Sequence, residues 1–202
     1  MDATQRDDLD GLRAAAGTGD PAAMRALGHR LCVLSGAVYL DTPDDEPEAE
    51  RWLRRSLAAA PADPVTATLL AGLLLRQQRT ALELSPLYDG LGAPGTGRAA
   101  WLRALWRRRA EALDWFRRAL AADPVHAAAA NGLALALLDP PHTEDFVYYP
   151  AGDEPEPEGL DDEDPAALAE AEAHLQRVLT AGPGDAVTTA VLARVTAARS
   201  DR

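Results

Sequence analysis

Three stretches of the chain place small and apolar residues at the same intervals. "EAERWLRRSLAAAP" begins at Glu48, "EALDWFRRALAADP" at Glu111 and "EAEAHLQRVLTAGP" at Glu170, and the three align without gaps. In each, a small residue, a large apolar one, a small or β-branched one and a proline follow at steps of four, three and five. These are Ala49, Leu53, Ser56 and Pro61; Ala112, Phe116, Ala119 and Pro124; Ala171, Leu175, Val178 and Pro183. Steps of four and three keep side chains on one face of a helix, whereas a strand would alternate with period two. The closing proline ends the helix. After each proline comes a second helical run with a leucine followed by a small residue: Leu70-Ala71, Leu133-Ala134 and Leu192-Ala193, with Leu27-Gly28 upstream in "DPAAMRALGHRL". A small residue there lets a neighbouring helix approach closely. The predicted unit is helix A, a connection, helix B and a proline turn.

Composition supports the helical reading. Hydrophobic residues make up 47% of the 202 positions, yet aromatics only 5%, and Ala and Leu dominate. These are strong helix formers, while the β-branched and aromatic residues expected of strands are few. An all-α protein follows.

The pattern resembles the tetratricopeptide repeat and its SEL-like relatives, with a Leu-Gly pair in the first helix and Ala, a large aromatic, Ala and Pro in the second. Leu27-Gly28 and "WFRRALAADP" from Trp115 to Pro124 carry the likeness best, and "GDPAAMRALG" and "AERWLRRSL" resemble the SEL-like variety. The resemblance implies antiparallel helix pairs in a right-handed superhelix over about residues 20 to 199. Leu27 to Leu70 is 43 residues, Leu70 to Leu133 is 63 and Leu133 to Leu192 is 59, against a repeat of about 34. The surplus falls between helix A and helix B, so the insertions should emerge along one edge of the array. The expected organisation is an N-terminal, partly helical segment at 1–19 and a first repeat at 20–64. A second repeat at 65–124 carries an insertion at about 79–97 and a long Arg-rich helix at about 98–122. A third repeat at 125–183 has an acidic loop at about 139–164, and a capping helix occupies 184–202.

Charge narrows the partners. The net charge of −12 disfavours nucleic acid, which is bound by neutralising phosphates with cations. All 20 basic residues are arginines. The Arg-rich helix carries arginines 98, 103, 107, 108, 109, 117 and 118, with an apolar stripe of Leu102, Leu105, Trp106, Leu113, Phe116 and Leu120. It reads as a solvated face over a buried one. "AGDEPEPEGLDDEDPAALAEAE" is densely acidic and either matches the Arg-rich helix within the chain, each exposed pair contributing little, or steers a basic partner. Asp164 and Pro165 should start the helix after it. Just before it, Phe146, Tyr148 and Tyr149 stand in a polar loop as candidate interface anchors. "MDATQRDDLD" has no basic start or apolar stretch, and no run approaches a membrane span, so the expectation is a cytoplasmic protein without membrane contact.

Catalytic and cofactor chemistry find little footing. "GAPGTGR" spaces Gly92 and Gly97 as a phosphate loop does, but Arg98 replaces the lysine, Ala99 replaces the hydroxyl, and no strand precedes it. A Gly/Pro loop ending at a Thr96 helix cap is the preferred reading. Histidines 29, 126, 142 and 174 are scattered, Cys32 is the single cysteine, and His29 with Cys32 supplies only two metal ligands. We therefore expect no catalytic residues, metal or cofactor. In the resembled family the A helices line a concave groove for a peptide. The positions one turn either side of each Leu-small pair are Arg25, His29 and Cys32; Thr68, Gly72 and Leu75; Asn131, Leu135 and Leu138; and Arg194. The functional expectation is a non-catalytic adaptor binding a protein or peptide through this groove and the insertion edge. The alternative is a regulator responding to a small ligand or nucleotide.

Overall fold

The computed structural model describes the backbone of residues 3–34, 40, 46–89, 96–139 and 165–200. Eight helices make up these residues, with no strand among them: α1 (Ala3–Gly17), α2 (Pro21–Leu34), α3 (Glu48–Ala59), α4 (Pro64–Asp89), α5 (Thr96–Ala122), α6 (Ala127–Leu138), α7 (Pro165–Ala181) and α8 (Ala186–Ser200). The protein is all-α. Each helix packs against the next in the chain, and the even-numbered helices α2, α4, α6 and α8 also touch one another in that order.

The aligned segments bury what their spacing selects. Ala49, Leu53 and Ser56, then Ala112, Phe116 and Ala119, then Ala171, Leu175 and Val178 are all buried, while Pro61, Pro124 and Pro183 lie exposed in the turns beyond. The small residue beside the core leucine acts as expected in α2. A Cβ on Gly28 would stand 2.8 Å from two carbons of Leu53. In α6 the tightest approach is one residue before Leu133, at Gly132, where a Cβ would meet Phe116 Cε1 at 2.4 Å. In α8 the small residue after Leu192, Ala193, is exposed.

Each even-numbered helix is entered through an aspartate. The amides of Ala22, Val65, Val125 and Val187 donate to Asp20, Asp63, Asp123 and Asp185 at 3.0–3.2 Å, each two residues on. In α2, α4 and α8 this acceptor satisfies amides that the first turn leaves without partners, whereas Asp123 closes the turn ahead of α6, whose N-cap is His126.

The expected insertion at about 79–97 is in part helix. Residues 79–89 extend α4 to 26 residues, against 12 in α6. At 1.5 Å per residue this makes α4 about 20 Å longer. Strong helix formers explain the extension, together with a separate apolar cluster: Ala81, Leu82, Leu105 and Leu40 are buried together, with Trp106 packed on them. Leu105, Leu113, Phe116 and Leu120 form the buried stripe of α5, while the Leu102 side chain lies outside the described residues.

Candidate functional site

The odd-numbered helices are linked by a repeated ion pair. Arg13 of α1 donates to Glu48 of α3 through Nε and Nη2, both at 3.0 Å. Arg54 of α3 grips Glu111 of α5 at 2.5 and 2.9 Å. Arg117 of α5 grips Glu170 of α7 at 2.9–3.1 Å. Every acceptor is the first residue of an aligned segment, and Arg54 and Arg117 are the seventh. Trp52 and Trp115, four residues after their glutamates, donate indole N–H to Glu48 and Glu111 at 3.4 and 3.0 Å. The third segment has His174 at that place.

These contacts set the protonation behaviour. The Arg13 hydrogen bond holds the Glu48 carboxyl below its ordinary range. Burial pushes Glu111 upward, but hydrogen bonds from Arg54 and Trp115 outweigh it and the net direction is down. Asp63 behaves alike, with burial opposed by Thr66 and Arg25. Burial lowers His174, and Arg177 and Arg117 push the same way against Glu170.

A buried polar centre lies where α3, α4 and α5 meet. Arg108 Nη1 donates to Glu50 Oε2 and to Gln77 Oε1, both at 2.9 Å, and Glu50 also accepts from Arg54 at 2.8 and 3.0 Å. Glu50 and Gln77 are at most 2% exposed and Arg108 is 8% exposed. Gln78 is buried beside them in sequence, and its Nε2 has no hydrogen-bond partner among the described residues. Sequence reasoning misses this group, because its members are 31 and 58 residues apart. The available signal was Gln77-Gln78 interrupting the apolar run of α4.

The expected groove residues fall into two sets. Arg25 pairs with Asp63, the cap of α4, at 2.6 Å. Asn131 donates from Nδ2 to Thr188 Oγ1 at 3.0 Å, and Thr188 donates to Asp185, the cap of α8, at 2.8 Å. Both thus join one even-numbered helix to the start of the next. The Asn131 Oδ1 atom has no partner among the described residues. Thr68 bonds Pro64 in its own helix at 2.7 Å, and Cys32 is buried, which pushes its thiol upward despite Arg76 nearby. Leu75 and Leu138 pack half-buried on the core. His29, Leu135 and Arg194 are exposed and Gly72 is half-exposed, each two residues after the leucine of a Leu-small pair.

The connections between A and B helices begin at one end. Leu40 from the first packs on the long α4–α5 hairpin of the second. Arg79 of that hairpin pairs with Asp139, where the third begins, and Arg109 Nη2 donates to Ala136 O at 3.1 Å. Phe146, Tyr148, Tyr149, the acidic run to Asp164 and loop residues 90–95 lie outside the described residues. The segment ahead of "GAPGTGR" is α4, a helix.

Among the described residues, no group of three or more His, Cys, Asp or Glu side chains could hold a metal ion, and no helix is long and apolar enough to cross a membrane. The comparisons with known proteins add no relative. No family model matches the chain, and neither a curated protein nor a solved structure resembles it at a significant level.

Proposed function

We propose that the chain is a tetratricopeptide-like scaffold without catalytic activity, binding a protein or peptide on the face of its even-numbered helices and the adjoining connection edge. The observation that carries this reading is the column His29, Gly72, Leu135 and Arg194. It recurs once per even-numbered helix and stays open to solvent, while its neighbours Arg25 and Asn131 are engaged in joining those helices. Strongly perturbed titratable groups often mark active sites. Here Glu48, Glu111, Asp63 and Asp185 each serve a rung or a cap at a recurring position, a structural task. Direct contact among the even-numbered helices, against side-chain bridges among the odd-numbered ones, favours a surface curved toward the even layer. Phe146, Tyr148 and Tyr149 belong by sequence to the third connection, which starts at Asp139 on that edge. The acidic run beside them suits a basic partner, steered over about 10 Å at 0.1 M salt.

The test begins with affinity capture on the intact chain and measurement of the purified pair. His29→Glu, Leu135→Glu and Arg194→Glu together should weaken binding by about 10-fold or more, as loss of an interface anchor does. Replacing residues 144–163 with a Gly/Ser linker probes the edge. Unchanged affinity in both folded variants rejects the reading. Thermal stabilisation by ATP would favour the nucleotide-responsive alternative, because a ligand that binds only the folded state raises stability by mass action.

A further inference from the structure

The odd-numbered helices carry a second row of arginines, one residue beyond the rungs. Arg55, Arg118 and Arg177 occupy the same position in the three aligned segments, and all three are exposed. Each leans on the ring three residues earlier. Arg55 Cζ is 4.7 Å from the centroid of Trp52 and Arg118 Cζ is 4.6 Å from that of Trp115. Arg177 Nη1 stands 3.1 Å from His174 Nδ1, a contact that requires the neutral ring to accept. A guanidinium held against a ring has given up part of its rotamer freedom before any ligand arrives. Arg118 also pairs with Asp114 at 2.7 Å, with both side chains more than half exposed. Such a surface pair contributes little and exchanges readily for another carboxylate. The equivalent residue in α1 is Ala14, so the row spans α3, α5 and α7.

The rungs show what this face takes. Arg54 and Arg117, the immediate neighbours in α3 and α5, each grip a carboxylate of the next odd-numbered helix in a forked contact, and Arg54 holds Glu50 of its own helix as well. The odd-numbered helices are joined by Arg–Glu bridges and not by close packing. They therefore stand somewhat beyond the roughly 10 Å of packed helices, a span that three to four residues of extended chain at about 3.3 Å each cover. We propose that Arg55, Arg118 and Arg177 form a docking row for an extended acidic segment of a partner protein, with Asp or Glu at every third or fourth residue. Nucleic acid fits less well. Its phosphates follow one another at about 3.4 Å along each strand, far closer than one arginine per helix can match. The row lies on the layer opposite the His29–Arg194 column and does not depend on that column's function.

The test uses the full chain at low ionic strength and Gly/Ser peptides bearing three glutamates, spaced every third residue, every fourth residue, or adjacent. Tryptophan fluorescence follows binding, since Trp52 and Trp115 underlie two of the arginines. A spaced peptide should bind about 5-fold or more tighter than the adjacent one, and the triple variant R55Q/R118Q/R177Q should lose about 10-fold or more. The control R30Q/R76Q/R79Q removes equal charge elsewhere and should change binding by less than about 2-fold. Single substitutions at each arginine keep the test decisive should the triple variant lose its helical signal. Equal binding of all three peptides, or an equal loss in the control, overturns the proposal. So does tighter binding of a single-stranded oligonucleotide that depends on the same three arginines.

Discussion

Two junctions of the same register are packed with different chemistry. The third residue of the α5 segment is Leu113, buried in the apolar core that also holds Phe116, Leu133 and Ala171. In α3 that position is Glu50, equally buried but held by Arg108 and Arg54. Arg108 lies three residues ahead of Glu111, in a part of α5 that has no counterpart in α3, which starts at its segment's first residue. The register therefore demands a filled position, and either an apolar side chain or a fully partnered charge can fill it. The charged version also ties the long hairpin to α3. Breaking such a pair is costly, whereas replacing it whole is not.

The largest effects should come from leaving one junction half-made. Arg108→Ala leaves buried Glu50 with Arg54 as its remaining charge partner and should cost up to about 3–5 kcal/mol in chemical denaturation. The triple change Glu50→Leu, Gln77→Leu and Arg108→Met, which replaces the three buried members together, should be far less costly than Arg108→Ala. A triple variant as unstable as Arg108→Ala would break the comparison. On the apolar side, Phe116→Ala should also cost about 3–5 kcal/mol, because a buried aromatic leaves a cavity. A loss below about 1 kcal/mol would mean that Phe116 does not anchor its junction. Gly132→Ala places a carbon 2.4 Å from the Phe116 ring, and overpacking of this kind costs about 1–3 kcal/mol. Combining it with Phe116→Leu should recover part of that loss.

Smaller effects concern protons. Glu48, Glu111 and Asp63 have carboxyls lowered in the folded chain. The unfolded chain binds protons first as pH falls, so their stabilisation is complete above the ordinary carboxylate range near pH 4 to 4.5 and drains away below it. Melting followed by circular dichroism should show Glu111→Gln with a flatter acid limb than the parent and lower stability at pH 7. The smallest effect belongs to His174. Its lowered value means that stability declines as pH drops through about 6.5, as the unfolded chain protonates first. His174→Trp, which copies Trp52 and Trp115, should remove that decline between about pH 7 and 5. A decline of unchanged size would assign it to another group.

Much of this architecture was legible in the chain. The register of Ala49, Leu53 and Ser56, repeated at Ala112 and Ala171, follows from helical periodicity alone. So do the stops at Pro61, Pro124 and Pro183 and the all-α class. These are local properties, since the signal and its structural consequence lie within one or two helical turns. The recurring Glu at the first position and Arg at the seventh could have disclosed the rungs, but only with the helices already placed side by side.

Other features were decided only by tertiary contact. The extension of α4 through residues 79–89 rests on burial of Ala81 and Leu82 against Leu105 and on Leu40 from a different connection. Arg25 and Asn131 looked like free groove residues by position, yet their partners lie 38 and 57 residues away. Glu50 and Arg108 would each read as a surface charge. Hydrogen-bond and charge partners meet in space, at separations that no periodicity encodes, so sequence determined which faces are buried and tertiary structure decided which polar groups are occupied there.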